Sequence, residues 1–197
     1  IQFNYVDYED AGIEGRKCYE VCVKHNKPVI VMEPVKGGSL INLPEEAQSV
    51  LDELQGGSNA SYAIRFAASF DHIMMVLSGM SDMAQMEDNL SYMTDFHPLN
   101  VQEHHVIDQV RTLYQAQHRI PCTDCRYCVD FCPMGIPIPT IFALMNQKRA
   151  GEGQPEADYA ALSVRADACI VCGKCEAQCP QHLSIRRLLR EVTKAFA

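Results

Sequence analysis

Two textures along the 197 residues predict an α/β unit of repeated βα elements followed by a second, mostly helical, cysteine-rich domain. Residues 1–112 alternate short β-rich runs with helical patterns, the signature of a parallel sheet. From about residue 117 the texture changes: cysteines and prolines cluster at 121–139, and the charge balance changes. Seven basic and 17 acidic side chains precede that point, and ten and eight follow it.

"IQFNY" at the start reads as a strand. Residues 13–26 place Ile13, Cys18, Val21 and Cys22 at helical spacing, with Asn26 and Pro28 punctuating the end. "VIVM" at 29–32 is short, β-branched and wholly apolar, as expected of a strand covered on both faces. Helical stretches near 44–54 and 59–70 precede "HIMMVLSG", a second buried strand, and a helix with Ser81 or Asp82 as N-cap. Residues 100–116 complete this part as an amphipathic helix. In the second part, "TIFALMNQKRA" reads as a helix, "GEGQPEAD" as a linker, and the C-terminus as an arginine-rich helix.

With 47% hydrophobic and 21% charged residues the chain is globular, not disordered or fibrous. A net charge of -8 argues against nucleic acid as the main partner. The longest apolar runs fall far short of the ~20 residues of a membrane span. The chain opens on Ile with acidic residues close behind, unlike a secretory signal, and reads as an internal piece of a longer protein.

Ten cysteines are the strongest feature. Cys122, Cys125, Cys128 and Cys132 are spaced C-x2-C-x2-C-x3-C and followed by Pro133; Cys169, Cys172, Cys175 and Cys179 repeat the spacing before Pro180. Three thiolates two residues apart on a tight loop suit three corners of an iron-sulfur cube. Structural zinc prefers well-separated knuckles or Cys/His mixtures, and disulfides across C-x2-C are strained, so both fit less well. The usage implies a reducing, cytoplasmic setting. Cys18 and Cys22, at i and i+4 without a third ligand, read as buried core cysteines. His25, His72, His97, His104, His105, His118 and His182 share no metal or triad spacing and read as structural or surface residues.

Residues from about 113 to 197 resemble dicluster 4Fe-4S ferredoxin domains, of the mostly helical kind with a helical insertion between the runs. In two-cluster ferredoxins the fourth cysteine of each run ligates the other cluster. That rule assigns Cys122, Cys125, Cys128 and Cys179 to one 4Fe-4S cluster and Cys169, Cys172, Cys175 and Cys132 to the other. Ile136, Pro137, Ile138, Leu183 and Ile185 would wall them from solvent.

In the first part, "IQFNYVD", "VMEPVKGG" and "LSGMSDMAQMEDNL" together resemble the last third of aldo/keto reductases, in particular the branch fused to a C-terminal ferredoxin domain. The resemblance implies a partial (β/α)8-barrel, C-terminal strands and helices only, with the rest of the barrel upstream, followed by a mostly α-helical dicluster ferredoxin domain. It sets the domains at 1–112 and 113–197. Barrel active sites lie at strand C-terminal ends, and the loops after strands seven and eight commonly hold phosphate.

By that resemblance Glu33, Lys36 and Gly37 lie beside the nicotinamide and pyrophosphate of NAD(P), and Asp88 and Asn89 contact adenine. Ser78, Gly79 and Ser81 offer close approach and free N–H groups at a helix start. Gln85 stands where an arginine often grips the 2′-phosphate of NADP. The family's catalytic Asp, Tyr, Lys and His are not matched in this chain. The expected function is the electron-transfer portion of an aldo/keto reductase-like oxidoreductase, exchanging single electrons with a redox protein partner. The alternative is a binding or structural module whose clusters only fix the fold, with Arg186, Arg187, Arg190 and Lys194 facing an acidic partner.

Overall fold

A computed structural model of the chain describes residues 1–117 and 119–197. His118, one of the scattered histidines, lies outside the described residues. The chain divides into two compact units, Ile1–Ala116 and Gln117–Ala197.

The first unit contains α1 (Gly15–Lys24), β1 (Val29–Val31), α2 (Glu45–Leu51), α3 (Asn59–Ala68), β2 (Ile73–Val76), α4 (Met83–Met93) and α5 (Val101–Ala116). The β1 and β2 strands pair in parallel, Val31 opposite Val76. The expected first strand shrinks to one parallel bridge between Gln2 and Met32, because the chain turns at Tyr5 and enters a 3-10 turn at Asp7–Glu9. The side chain of Asn4 holds this turn by accepting the N–H groups of Val6 and Asp7.

The core lies between the sheet and the helices. Phe3, Tyr5, Val29, Val31, Leu40, Tyr62, Phe66 and Val110 are buried there. Phe3, Tyr8, Tyr19, Phe66 and Phe70 form an aromatic cluster, with edge-on contacts such as Phe3–Phe70 at 5.0 Å. Two expectations are corrected. The strands are not covered on both faces: Ile30 is 41% and Met74 60% exposed, in a sheet that among the described residues has two strands and one bridge. Nor is Cys18 a core residue. The α1 helix turns Tyr19 and Cys22 toward the core, leaving Cys18 and Val21 exposed.

The α-helices of the second unit, joined by loops and a 3-10 turn at Ala166–Ala168, are α6 (Tyr127–Asp130), α7 (Ile138–Ala150), α8 (Pro155–Ala160), α9 (Lys174–Ala177) and α10 (Ile185–Ala195). Part of the expected linker is α8, which Pro155 starts from a position where a missing N–H costs nothing. Gly151, left-handed at φ 70°, ends α7. Ile136, Ile138, Ile141, Phe142, Ile185, Leu189 and Val192 form the core, and Cys128 and Cys175 are buried in it. Among the described residues no helix is long and apolar enough to cross a membrane.

Candidate metal centres

The two cysteine runs fold as copies of each other. Asp124 and Arg126 in the first, and Val171 and Gly173 in the second, hold positive φ of 52°, 66°, 60° and 80°. A left-handed residue on either side of the second cysteine turns the chain sharply, so successive N–H groups line a concavity that suits anionic sulfur. Val171 adopts this conformation despite its β-branched side chain, for which it is a strained choice. Each run then enters a one-turn helix, α6 or α9, carrying its third cysteine. After each fourth cysteine a further left-handed residue follows, Gly135 or His182.

The repetition extends beyond the cysteines. An offset of 47 residues maps Cys122 on Cys169, Ile138 on Ile185 and Phe142 on Leu189, and it also brings the starts of α7 and α10 into register. The same turn bonds recur: Ile138 N–H donates to Ile136 and Ile185 N–H to Leu183, both at 2.8 Å. Gly135 N–H donates to Cys132 at 3.0 Å, and His182 N–H to Cys179 at 3.1 Å.

The helices α6 and α9 pack against each other, and this crosses the runs. Cys122, Cys125, Cys128 and Cys179 line one cavity, walled by Ile138, Phe142, Leu183 and Ile185. Cys132, Cys169, Cys172 and Cys175 line a second, walled by Ile136, Ile138, Ile170 and Leu189. Each set takes three cysteines from one run and one from the other. Among the described residues no three His, Cys, Asp or Glu side chains converge on a single metal ion. Two sets of four thiols, with no histidine among them, suit the all-cysteine ligation of a four-iron cube.

Electrostatics fit the same reading. Burial, followed by the proximity of Cys122 and Cys125, pushes the Cys128 thiol up to about 12. Burial likewise raises Cys122 and Cys175, with the backbone N–H groups of Asp124 and Glu176 respectively working against it. Thiolates in these cavities therefore call for positive charge beside them, which iron would supply. At the second cavity Arg186 lies over Gly173 and in its wall. Its guanidinium is held by Glu176 through contacts of 2.8 Å from Nε and Nη2. The hydrogen bond from Arg186, aided by its charge, holds the Glu176 carboxyl below the ordinary range.

Two contributors were not visible in the cysteine spacing. Asn146 on α7 clamps the backbone of Ile120, accepting its N–H at 2.8 Å and donating to its carbonyl at 3.0 Å, and so fixes the chain just ahead of Cys122. Thr123 also lines the first cavity. The signal available for the helices was the apolar register repeated at 47 residues.

In the first unit a cleft of about 740 Å³ opens at the C-terminal ends of the parallel strands, a size suited to a small-molecule ligand. Glu33, Gly37, Ser78, Gly79, Asp88 and Asn89 line it, and a Cβ at Gly79 would meet open space. Asp88 accepts from Ser58 Oγ at 2.6 Å, and Asn89 donates to Ser78 Oγ at 2.9 Å. Lys36 and Ser81 stand elsewhere. Lys36 is buried against Asp7, and Ser81 N–H donates to Gln85 Oε1 at 2.7 Å. Gln85 thus helps cap α4, whose N-cap is Asp82.

Comparison with known families agrees with both units. Residues 1–112 match the aldo/keto reductase family, and residues 121–184 match the 4Fe-4S dicluster domain. No curated protein and no solved structure matches the chain significantly. A partial barrel is compatible with the two-stranded first unit, and a 4Fe-4S domain beside a reductase domain suggests electron transfer. The chain belongs to the aldo/keto reductase family and carries a 4Fe-4S dicluster domain.

Proposed function

We propose that this chain is the electron-transfer portion of an aldo/keto reductase-like oxidoreductase, with one 4Fe-4S cluster held by Cys122, Cys125, Cys128 and Cys179. The other is held by Cys132, Cys169, Cys172 and Cys175. The observation that carries this reading is the sorting of eight cysteines into two apolar cavities of four. Bound there, each cluster accepts and returns one electron. The protein's part is to keep water from the sulfurs and turn N–H groups toward them, which sets the potential.

The cleft at Glu33, Gly37, Ser78, Gly79, Asp88 and Asn89 is the proposed place for part of a nicotinamide nucleotide, completed by barrel strands supplied upstream. Nicotinamide moves two electrons as hydride, whereas a cluster moves one, so the clusters are assigned to exchange with a redox protein partner. The basic side of α10 is a weaker candidate for docking an acidic partner. Arg186 pairs with Glu176, and Arg187 with Glu191.

Iron and acid-labile sulfide analysis, with electron paramagnetic resonance of the reduced protein, tests the reading. Two four-iron centres per chain that reduce reversibly are expected. Stoichiometric zinc without sulfide would overturn it, and centres that resist reduction would leave only a structural role.

A further inference from the structure

Thr123 Oγ1 is the one buried side-chain nitrogen or oxygen without a hydrogen-bond partner among the described residues. Its residue lines the cavity of Cys122, Cys125, Cys128 and Cys179. An unpaired buried hydroxyl costs about 1–3 kcal/mol, so its presence in this wall calls for a partner that the protein atoms do not provide. Solvent does not reach the oxygen, and no protein atom among the described residues hydrogen-bonds to it. What the cavity is shaped to hold is rich in acceptors: thiolate and sulfide sulfur.

The duplicated fold supplies an internal comparison. At the 47-residue offset the place of Thr123 is taken by Ile170, which lines the second cavity and is 59% exposed. The two cavities therefore share a backbone path and a set of four cysteines, and at this position only the first carries a hydroxyl. Thr123 and Ile170 are both β-branched, so the hydroxyl is the chemical difference that matters at equal shape near the backbone.

We propose that Thr123 donates its hydroxyl proton to a sulfur of the first cluster and raises that cluster's reduction potential, with no hydroxyl at the equivalent position, Ile170, of the second. The inference rests on the cluster assignment above. The physical basis is charge: on taking up one electron the cluster becomes more negative, and a donor aimed at its sulfur stabilises the reduced form more than the oxidised one. Thr123 is a positioning and tuning residue, with no proton transferred. The two centres are thus inequivalent: the first has the Thr123 hydroxyl in its wall, and the second the Arg186 guanidinium.

The test is a mediated redox titration of the full iron-loaded chain, followed by electron paramagnetic resonance, for the wild type, Thr123→Val and Thr123→Ser. In Thr123→Val one centre should become harder to reduce by about tenfold in its one-electron equilibrium, ~59 mV, while the other is unmoved. Thr123→Ser, which keeps the donor, should restore most of the difference. Thr123→Ala, donor-free but without added bulk, gives the same comparison should the valine variant load iron poorly. A wild type without four-iron centres overturns the cluster assignment and this inference with it. Intact centres whose potentials are equal in wild type, valine and alanine variants overturn the role of Thr123 alone.

Discussion

Arg65 and Glu103 show how one ion pair can serve several ends. The guanidinium grips the carboxylate with two contacts of 2.7 and 3.1 Å and also donates to the carbonyls of His97 and Pro98. Glu103 in turn accepts the N–H of Asn100, whose side chain accepts the N–H of Glu103, a reciprocal cap at the start of α5. Burial raises the Glu103 carboxyl, but the hydrogen bonds of Arg65 and Asn100 and the charge of Arg65 outweigh it and leave it below the ordinary 4.5. The pair's contribution is therefore complete above pH 4.5 and is lost as pH falls below it. Glu103→Gln should cost the first unit about 3 kcal/mol at pH 7 and make its unfolding less acid-sensitive, as measured by denaturant titration at several pH values. Lys36 makes a second buried pair, with Asp7, whose carboxylate also receives Asn4 at 2.7 Å and Gln2 at 2.6 Å. Lys36→Met should cost a further ~3 kcal/mol in the same assay, because Asp7 loses its charge partner but stays buried. Equal stability of the variant and the parent would contradict that assignment of Lys36.

At the scale of elements, α7 both builds the core of the second unit and anchors the first cysteine run. Asn146→Ala removes two hydrogen bonds to Ile120 and leaves a buried backbone pair with less support, a loss of about 1–3 kcal/mol. We expect faster iron release to a chelator from this variant, with helical circular dichroism unchanged. Unaltered release would assign the clamp to stability alone. The same elements explain what could be read in advance. The helices α1 to α5, α7 and α10 were legible because apolar residues recur at helical spacing and turns or caps bound them. The first strand was not, because β-rich composition at "IQFNY" does not reveal that Asn4 folds back on Val6 and Asp7. Nor was α8, since Gly and Pro around it read as a linker while Pro155 in fact starts a turn of helix. The spacing of eight cysteines was plain. Thr123 was not, because the absence of a hydrogen-bond partner is a property of packing and leaves no mark on sequence. Lys36 and Ser81 were picked out by segment resemblance, and their placement depended on whether Asp7 and Gln85 would engage them.

The whole molecule has two separately buried cores, one drawn from Phe3 to Tyr114 and the other from Ile120 to Val192. In the second, cysteine-lined cavities lie within the hydrophobic cluster, so a metal group bound there would couple its binding to folding. Calorimetry of the full iron-loaded chain should give two transitions. Removing iron by chelation under reducing conditions should lower the transition of the second unit by tens of degrees and leave the first within about 3 °C, since a loss of ~1 kcal/mol moves a domain this size by about 4–8 °C. A single transition that moves as one would show that the units unfold together. The crossing of the runs also bears on synthesis. The first cavity lacks its fourth thiol until Cys179 has been made, and at about 5–20 residues per second the ribosome takes about 3–10 s to travel there from Cys128. During that interval Cys122, Cys125 and Cys128 stand together unfinished and open to oxidation. The order of cysteines along the chain therefore postpones completion of the first cavity until Cys179 has been made, well after its other three thiols have left the ribosome.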